Sequence, residues 1–306
     1  MLIAGCAGRI GAATALELAR SNEVHGIDCV DGAARRHLER GGVNFHRISL
    51  GRDGLDRLPA KVDYVFYQAV TWKIRNAKEE REAYLVSIKG VFDLFRKYHR
   101  DAKRFVLAST GGVCAPSEEL ADERTARCPD ATPYHSYKFA MEVVGEAFAD
   151  TEGADVIILR YYWPWSERNG FPHSWVIVPL LRGRPVSVCD RHPNRFTPVF
   201  MPDCVRYSVG LAELPEVPRV VNVCGTDIVS VEQMARITAD ILGIEPAITN
   251  SRKHRPTFLG DASLVTRLLG PPEYDVRRAL EAAVRWHREH PEEHQKRDVF
   301  DAPRNW

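Results

Sequence analysis

The chain has 306 residues, 44% of them hydrophobic, and its 42 lysines and arginines nearly cancel 41 aspartates and glutamates. That length allows one large α/β domain or two unequal lobes sharing a cleft, and the charge balance gives no long-range field favouring nucleic acid or an anionic membrane as partner. The seven cysteines, at 6, 29, 114, 128, 189, 204 and 224, are odd in number and never form a C-x-x-C pair. This speaks against a disulfide framework or a zinc knuckle and suits a reducing cytoplasm, and charges interrupt every apolar run before it could span a bilayer.

The first strand is expected at 2–4 and runs into Gly5-Cys6-Ala7-Gly8-Arg9-Ile10-Gly11. Gly5 stands where a strand must turn sharply, Gly8 where a backbone must approach a pyrophosphate, and Gly11 where a helix must lie close to the sheet. Arg9 and Ile10 fall at the start of that helix, whose free N–H groups and positive dipole end suit phosphates. A second strand at 23–28 ends in Asp28, about 20 residues on, where a carboxylate can accept both hydroxyls of an adenosine ribose. Asp28 favours NAD, while Arg9, Arg35 and Arg36 leave NADP open. Further strands are expected at 44–48 and 62–67, leading to Ser49 and Gln68 as cofactor contacts. A long helix follows at 78–99, with Tyr84, Ile88, Val91, Phe92 and Phe95 on one stripe.

The next strand, 104–108, delivers Ser109-Thr110-Gly111-Gly112 at its C-terminal edge, where ligands of open α/β sheets bind. Thr132-Pro133 is a helix start, an N-cap followed by proline at the first helical position, so Tyr134 and Lys138 lie one turn apart on one face. A tyrosine with an ordinary pKa near 10 is a poor base at neutral pH. A nearby ammonium favours the tyrosinate, which can then exchange a proton with a hydroxyl as hydride leaves or joins the same carbon. Thr110 can hydrogen-bond the reacting oxygen.

A sixth strand at 155–160 is followed by prolines and aromatics, Tyr161 to Trp165 among them, that suit loops around a cleft. Trp163, His173 and Arg195 are candidate substrate contacts there, with Lys73 in the loop after the fourth strand. One more strand is expected at 220–223, with helices at 231–242 and 276–287. His287, His290 and His294 have metal-like spacing, but Pro291 separates them and no carboxylate shell converges, so no metal is expected.

The order Gly5-x-x-Gly8-x-x-Gly11, Asp28, Thr110, Tyr134-x-x-x-Lys138, Leu159-Arg160 resembles that of extended short-chain dehydrogenases/reductases of the NAD-dependent epimerase/dehydratase family. Arg195 to Asp203 and Asn222 to Thr226 are similar to that family's later motifs. The resemblance implies a Rossmann-type α/β fold with a doubly wound parallel sheet. Residues 1–160 would form the dinucleotide domain, segments around 195–225 would return to it, and 161–306 would form mainly a smaller substrate lobe. Tyr134 would be the acid/base, Lys138 its electrostatic partner and a ligand of the nicotinamide ribose, and Thr110 the hydroxyl that orients substrate. The substrate would be a small molecule, sugar-like and often nucleotide-activated, and the partner a second copy, joined through the helices beginning near Lys78 and Thr132.

Several positions depart from the family's pattern. Trp163 aligns with an asparagine that in relatives contacts the nucleotide diphosphate. Ser49 stands where an aspartate often meets adenine, Ser87 replaces an asparagine of the long helix, and Gly111-Gly112 stands where sugar 4,6-dehydratases carry an acidic pair. Dehydration is therefore disfavoured. The expectation is an NAD-dependent oxidoreductase or epimerase acting on a hydroxyl or keto carbon of a sugar or nucleotide sugar. The alternatives are a carbonyl reductase for a non-sugar substrate and a dinucleotide sensor that does no chemistry.

Overall fold

Near-continuous apolar runs such as Phe105-Val106-Leu107-Ala108 belong in strands covered on both faces, and such runs form the centre of a seven-stranded parallel sheet in the computed structural model, which describes residues 1–71, 74–128, 132–189, 194–251 and 257–293. The strands are β1 (Leu2–Ala4), β2 (Val24–Asp28), β3 (Val43–Arg47), β4 (Tyr64–Tyr67), β5 (Arg104–Thr110), β6 (Val156–Tyr161) and β7 (Val220–Val223). Across the sheet they lie in the order β7-β6-β5-β4-β1-β2-β3. The chain thus winds outward from β1 in one direction and from β4 in the other. That reversal opens a crevice at the C-terminal ends of β1 and β4, the place where doubly wound sheets bind ligands.

Helices α1 (Arg9–Leu18), α2 (Ala33–Arg40), α3 (Ala77–Tyr84), α4 (Gly90–Tyr98) and α5 (Pro133–Glu152) connect the strands. Side chains alternate across the sheet. Ile3 packs with Ala15 and Leu18 of α1 and with Cys204 and Leu211 of the helix Met201–Glu213 on one face. Leu2 and Ala4 pack with Leu94 and Phe95 of α4 and Met141 and Phe148 of α5 on the other. Burying each of the larger side chains contributes roughly 1.5–3 kcal/mol. A third cluster, with Trp165, Phe196, Met234, Leu280 and Val284, gathers the chain after β6. The helices expected at 231–242 and 276–287 are present as Val231–Leu242 and Val276–Glu289.

The helix expected at 78–99 is interrupted. Between α3 and α4, Leu85–Lys89 forms a π turn, and the wider turn shifts the phase of everything after it, since each α-helical residue advances by about 100°. Past the turn, Val91 and Phe95 are buried together with Leu94 and Tyr98 while Phe92 is 48% exposed; Tyr84, before the turn, is 49% exposed. Two contacts fix the turn in place. The Tyr67 hydroxyl donates to the Val86 carbonyl, and a Cβ on Gly90 would lie 2.8 Å from that same hydroxyl oxygen.

Candidate active site

The loop after β1 is shaped by its glycines. Gly5 adopts φ +81°, and a Cβ there would fall 2.5 Å from the Ala69 backbone nitrogen. A Cβ on Gly11 would fall 2.1 Å from the Gly5 carbonyl oxygen, so α1 can begin this close to the strand only without a side chain. Gly5 and Cys6 both donate to the Ile27 carbonyl, at 2.8 and 3.2 Å, and Asp28 accepts from the Ala7 N–H at 3.0 Å. Gly8 is the N-cap of α1, with no side chain capping the helix. The N–H groups of the first turn, from Arg9 through Ile10 to Gly11, therefore face an open, positively polarised site. Main-chain donors, three glycines in a crowded turn and a carboxylate at the end of β2 fit the phosphates and the adenosine ribose of a dinucleotide.

Ser49 follows β3 and lies beside Asp28, since the Ile48 N–H donates to the Asp28 carbonyl. Its own N–H is held by the Asp53 carboxylate at 2.7 Å. The acidic group at this corner is thus Asp53, four residues past the expected position. Gln68 is placed at the loop as well. It follows β4 directly beneath the glycine loop, is buried, and its amide donates to Thr14 of α1 at 3.2 Å while its Oε1 has no hydrogen bond. Its side chain braces the loop from below.

Thr110 ends β5 and accepts from the Gly112 N–H at 3.3 Å, turning the chain into a short 3-10 segment. Thr132 caps α5 by accepting from the His135 N–H, and Pro133 takes the first helical position, as the sequence suggests. One turn apart, Tyr134 and Lys138 face the end of β5. The Tyr134 phenol meets the side chain of Thr110, a contact that favours its ionised form. Lys138, only 3% exposed, donates from Nζ to the Ala108 carbonyl at 2.5 Å.

The electrostatics differ from the sequence expectation. Desolvation raises the Tyr134 pKa above its ordinary value, against opposing pulls from Thr110 and Arg9. Burial lowers Lys138 to about 7, with Glu142 pushing back. In the chain by itself the lysine is spent on Ala108, and the cation that acts on the phenol is Arg9.

Gly111 and Gly112 have a steric role that the sequence alone does not reveal. A Cβ on Gly111 would lie 2.1 Å from the Tyr162 ring, and one on Gly112 would lie 2.2 Å from His135 Nε2. An imidazole and a phenol thus fill the space that two side chains would otherwise claim. His135 also meets Phe258 edge-on, with ring centroids 5.4 Å apart. The signal for His135 was its position next to Tyr134, opposite two consecutive glycines.

The candidate substrate residues are dispersed. Trp163 is the one non-glycine residue with positive φ among the described residues, at +51°. That conformation suits asparagine far better than tryptophan. Its indole donates to the Phe258 carbonyl at 3.0 Å and stands edge-on to Phe196 and Phe171. His173 is buried. It is 7% exposed and stacks on His287 with ring centroids 5.3 Å apart, and burial lowers its pKa to about 4. Arg195 is half-buried and ion-paired with Glu118 at 2.6 Å, which also accepts from Thr257. Asp203, in the motif after Arg195, is buried and accepts the Glu273 and Tyr274 N–H groups. Lys73 and His294 lie outside the described residues. Among the described residues no group of three or more His, Cys, Asp or Glu could hold a metal ion, and no helix is long and apolar enough to cross a membrane.

The model of the NAD dependent epimerase/dehydratase family matches residues 1–224. No curated protein matches the chain. Among solved structures, a UDP-glucuronic acid 4-epimerase from Bacillus cereus, in complex with UDP-glucuronic acid and NAD, superposes with a TM-score of 0.81 at 21% identity, over 94% of this chain and 99% of its own. A UDP-glucose 4-epimerase from Thermotoga maritima with UDP-glucose gives 0.78 at 23%, over 95% and 99%. A dTDP-glucose 4,6-dehydratase from Bacillus anthracis in complex with NAD gives 0.76 at 16%, over 95% and 97%. At these identities the superpositions establish the shared fold, and the match over residues 1–224 carries the relationship. The chain belongs to the NAD dependent epimerase/dehydratase family, as an NAD-using enzyme of the extended short-chain dehydrogenase/reductase type.

Proposed function

We propose that the chain interconverts a hydroxyl and a keto carbon of a sugar or nucleotide sugar, either as a net oxidoreductase or as an epimerase. The observation that carries this reading is the meeting of Thr110 and Tyr134 above buried Lys138, at the sheet edge that also presents the glycine loop. Bound NAD supplies the hydride acceptor and, once reduced, the donor. Gly5, Gly8, Arg9, Ile10 and Gly11 would hold its pyrophosphate and Asp28 its adenosine ribose. Thr110 holds the reacting oxygen, Tyr134 takes or returns its proton, and the Lys138 ammonium stabilises the tyrosinate and binds the nicotinamide ribose. Asp28 disfavours a 2′-phosphate, so NAD rather than NADP is the partner.

Epimerisation requires only that the keto intermediate be reduced on its other face. Dehydration needs a further acid/base, and Gly111-Gly112 supplies none. Support for sugar nucleotides comes from the UDP-glucuronic acid and UDP-glucose held by the two epimerases. A second reading, a carbonyl reductase for an aromatic substrate, is favoured by one observation. Trp163, partly exposed and seated edge-on against the buried rings of Phe171 and Phe196, offers an aromatic surface, and the nearby Arg195 is already neutralised by Glu118.

The same reading includes a homodimer through α3, α4 and α5. Tyr84, Phe92 and Val143 leave apolar area exposed on these helices, and Phe92→Glu should make the protein monomeric in sedimentation. The deciding experiment incubates the protein and NAD or NADH with UDP-hexoses, UDP-hexuronic acids and aromatic aldehydes, reading cofactor absorbance and product stereochemistry. Conversion of a UDP-sugar supports the first reading. Reduction of aldehydes alone supports the second, and no change with any compound rejects both.

A further inference from the structure

Directly behind Lys138 lies a cluster of charges that the proposed chemistry does not use. Glu142, one turn along α5, is fully buried. Its carboxylate accepts from Arg160 Nε at 3.1 Å and Nη2 at 2.9 Å, from Arg127 at 3.3 Å, and from the Ser109 hydroxyl. Ser109 sits between Ala108, whose carbonyl receives Lys138, and Thr110, which meets Tyr134. One carboxylate therefore ties the helix of Tyr134 and Lys138 to the strand carrying their partners.

The charge count is equally specific. Arg160, whose side chain is 3% exposed, is matched by Glu142, and Arg127 is shared with Glu146 at 2.9 Å. Lys138 is then the one cation of the cluster without a carboxylate of its own. Other titratable groups face the pair. Cys114 and Arg127 come from the segment after β5 and Tyr162 from just past β6, Glu123 contributes its main-chain carbonyl to Arg160, and Arg9 faces Tyr134. The π turn packed against α5 buries only the uncharged Ser87.

We infer that Glu142 is a positioning residue for the active site: it cancels the charge of Arg160 so that Lys138 can remain an ammonium in a buried place, and it holds Ala108 and Thr110 in register through Ser109. The inference rests on the proposed roles of Tyr134 and Lys138. Without Glu142, the buried cations Lys138 and Arg160 would lose the carboxylate that acts on both, and uncompensated positive charge in a medium of low dielectric disfavours the charged form of whichever can lose its proton. Arginine cannot, so the lysine would. Burial already holds Lys138 near 7, with Glu142 opposing it.

The test follows the titration of Lys138 by NMR of its side chain in the full cofactor-free chain, assigned with Lys138→Met, and then the pH profile of turnover with NAD. Glu142→Gln, which keeps the shape, should move the Lys138 midpoint toward acid by about one pH unit or more. Arg160→Gln should move it the opposite way. Arg127→Gln alters a side chain 28% exposed. It should give a smaller shift toward alkali, and it serves if the buried variants do not fold. A loss of structure by itself cannot produce shifts of opposite sign. A midpoint that stays in place, or moves the same way in both buried variants, overturns the inference. If the midpoints move as expected but the alkaline limb of turnover does not follow them, Glu142 controls Lys138 and the assignment of Lys138 to the chemistry is wrong.

Discussion

At the glycine loop the recognition groups are main-chain atoms held open by missing side chains, whereas past β6 they are side chains that already hold partners. Gly5, Gly8 and Gly11 leave the first turn of α1 uncapped. Trp163, by contrast, is bound to Phe258, His173 stacked on His287, and Arg195 paired with Glu118. In the first region a pyrophosphate meets main-chain N–H groups that no side chain caps. A substrate entering the second must break or go around existing contacts, which makes that region selective. The contrast teaches that cofactor identity is written in backbone geometry and substrate identity in which side-chain pairs a ligand can outcompete.

The largest effect expected is on the cofactor side. Gly11→Ala puts a Cβ 2.1 Å from the Gly5 carbonyl oxygen, and the loop must shift to admit it. NAD affinity should fall by about a hundredfold, on the scale of overpacking a tight site, as read by calorimetry. Near-normal binding would mean the loop is not the cradle. Next is a pH effect confined to the catalytic helix. Lys138 titrates near 7 when folded and at an ordinary 10.5 when unfolded. Between those values the unfolded chain binds more protons, so stability gains as pH rises through this window. Denaturant unfolding at pH 6 and pH 9 should show that gain in the wild type relative to Lys138→Met, and parallel behaviour of the two would contradict it.

His173 gives the counterpart on the other side. Burial, with His287 adding to it, takes it from 6.5 to about 4. The unfolded histidine is protonated between these values while the folded one is not, so stability is lost as pH falls from about 6.5 to 4. A His173→Phe variant should unfold with a weaker acid dependence over that range. The smallest effect tests whether the substrate side is in fact occupied by its own contacts. Glu118→Gln releases Arg195, and the KM of an anionic substrate should fall about threefold, the scale of an exposed ion pair, with kcat unchanged. An unaltered KM would remove Arg195 from the substrate site.

Where the sequence was informative, the constraint was local. A glycine at φ +81°, a carboxylate ending β2, and a Thr-Pro cap setting Tyr134 and Lys138 one turn apart each depend on a few consecutive residues. The π turn was not legible, because one extra residue in a turn leaves the hydrophobic pattern of α3 and α4 readable as a single helix. Nor were Glu118, Phe258 and His287 legible as partners of Arg195, Trp163 and His173, since each is separated from its partner by 77 or more residues and joins it only through the fold. Gly111 and Gly112 lie between. Their lack of side chains was visible, but its use in admitting Tyr162 and His135 was not.

The central claim is that Tyr134 exchanges the proton. The most direct test compares Tyr134→Phe with the wild type, measuring NAD affinity and, under saturating NAD, kcat on whichever substrate the panel identifies. The account predicts equal NAD affinity and a kcat reduced by about 10²–10⁴-fold, the usual scale of a positioned acid/base. Full turnover by Tyr134→Phe with NAD bound would contradict it.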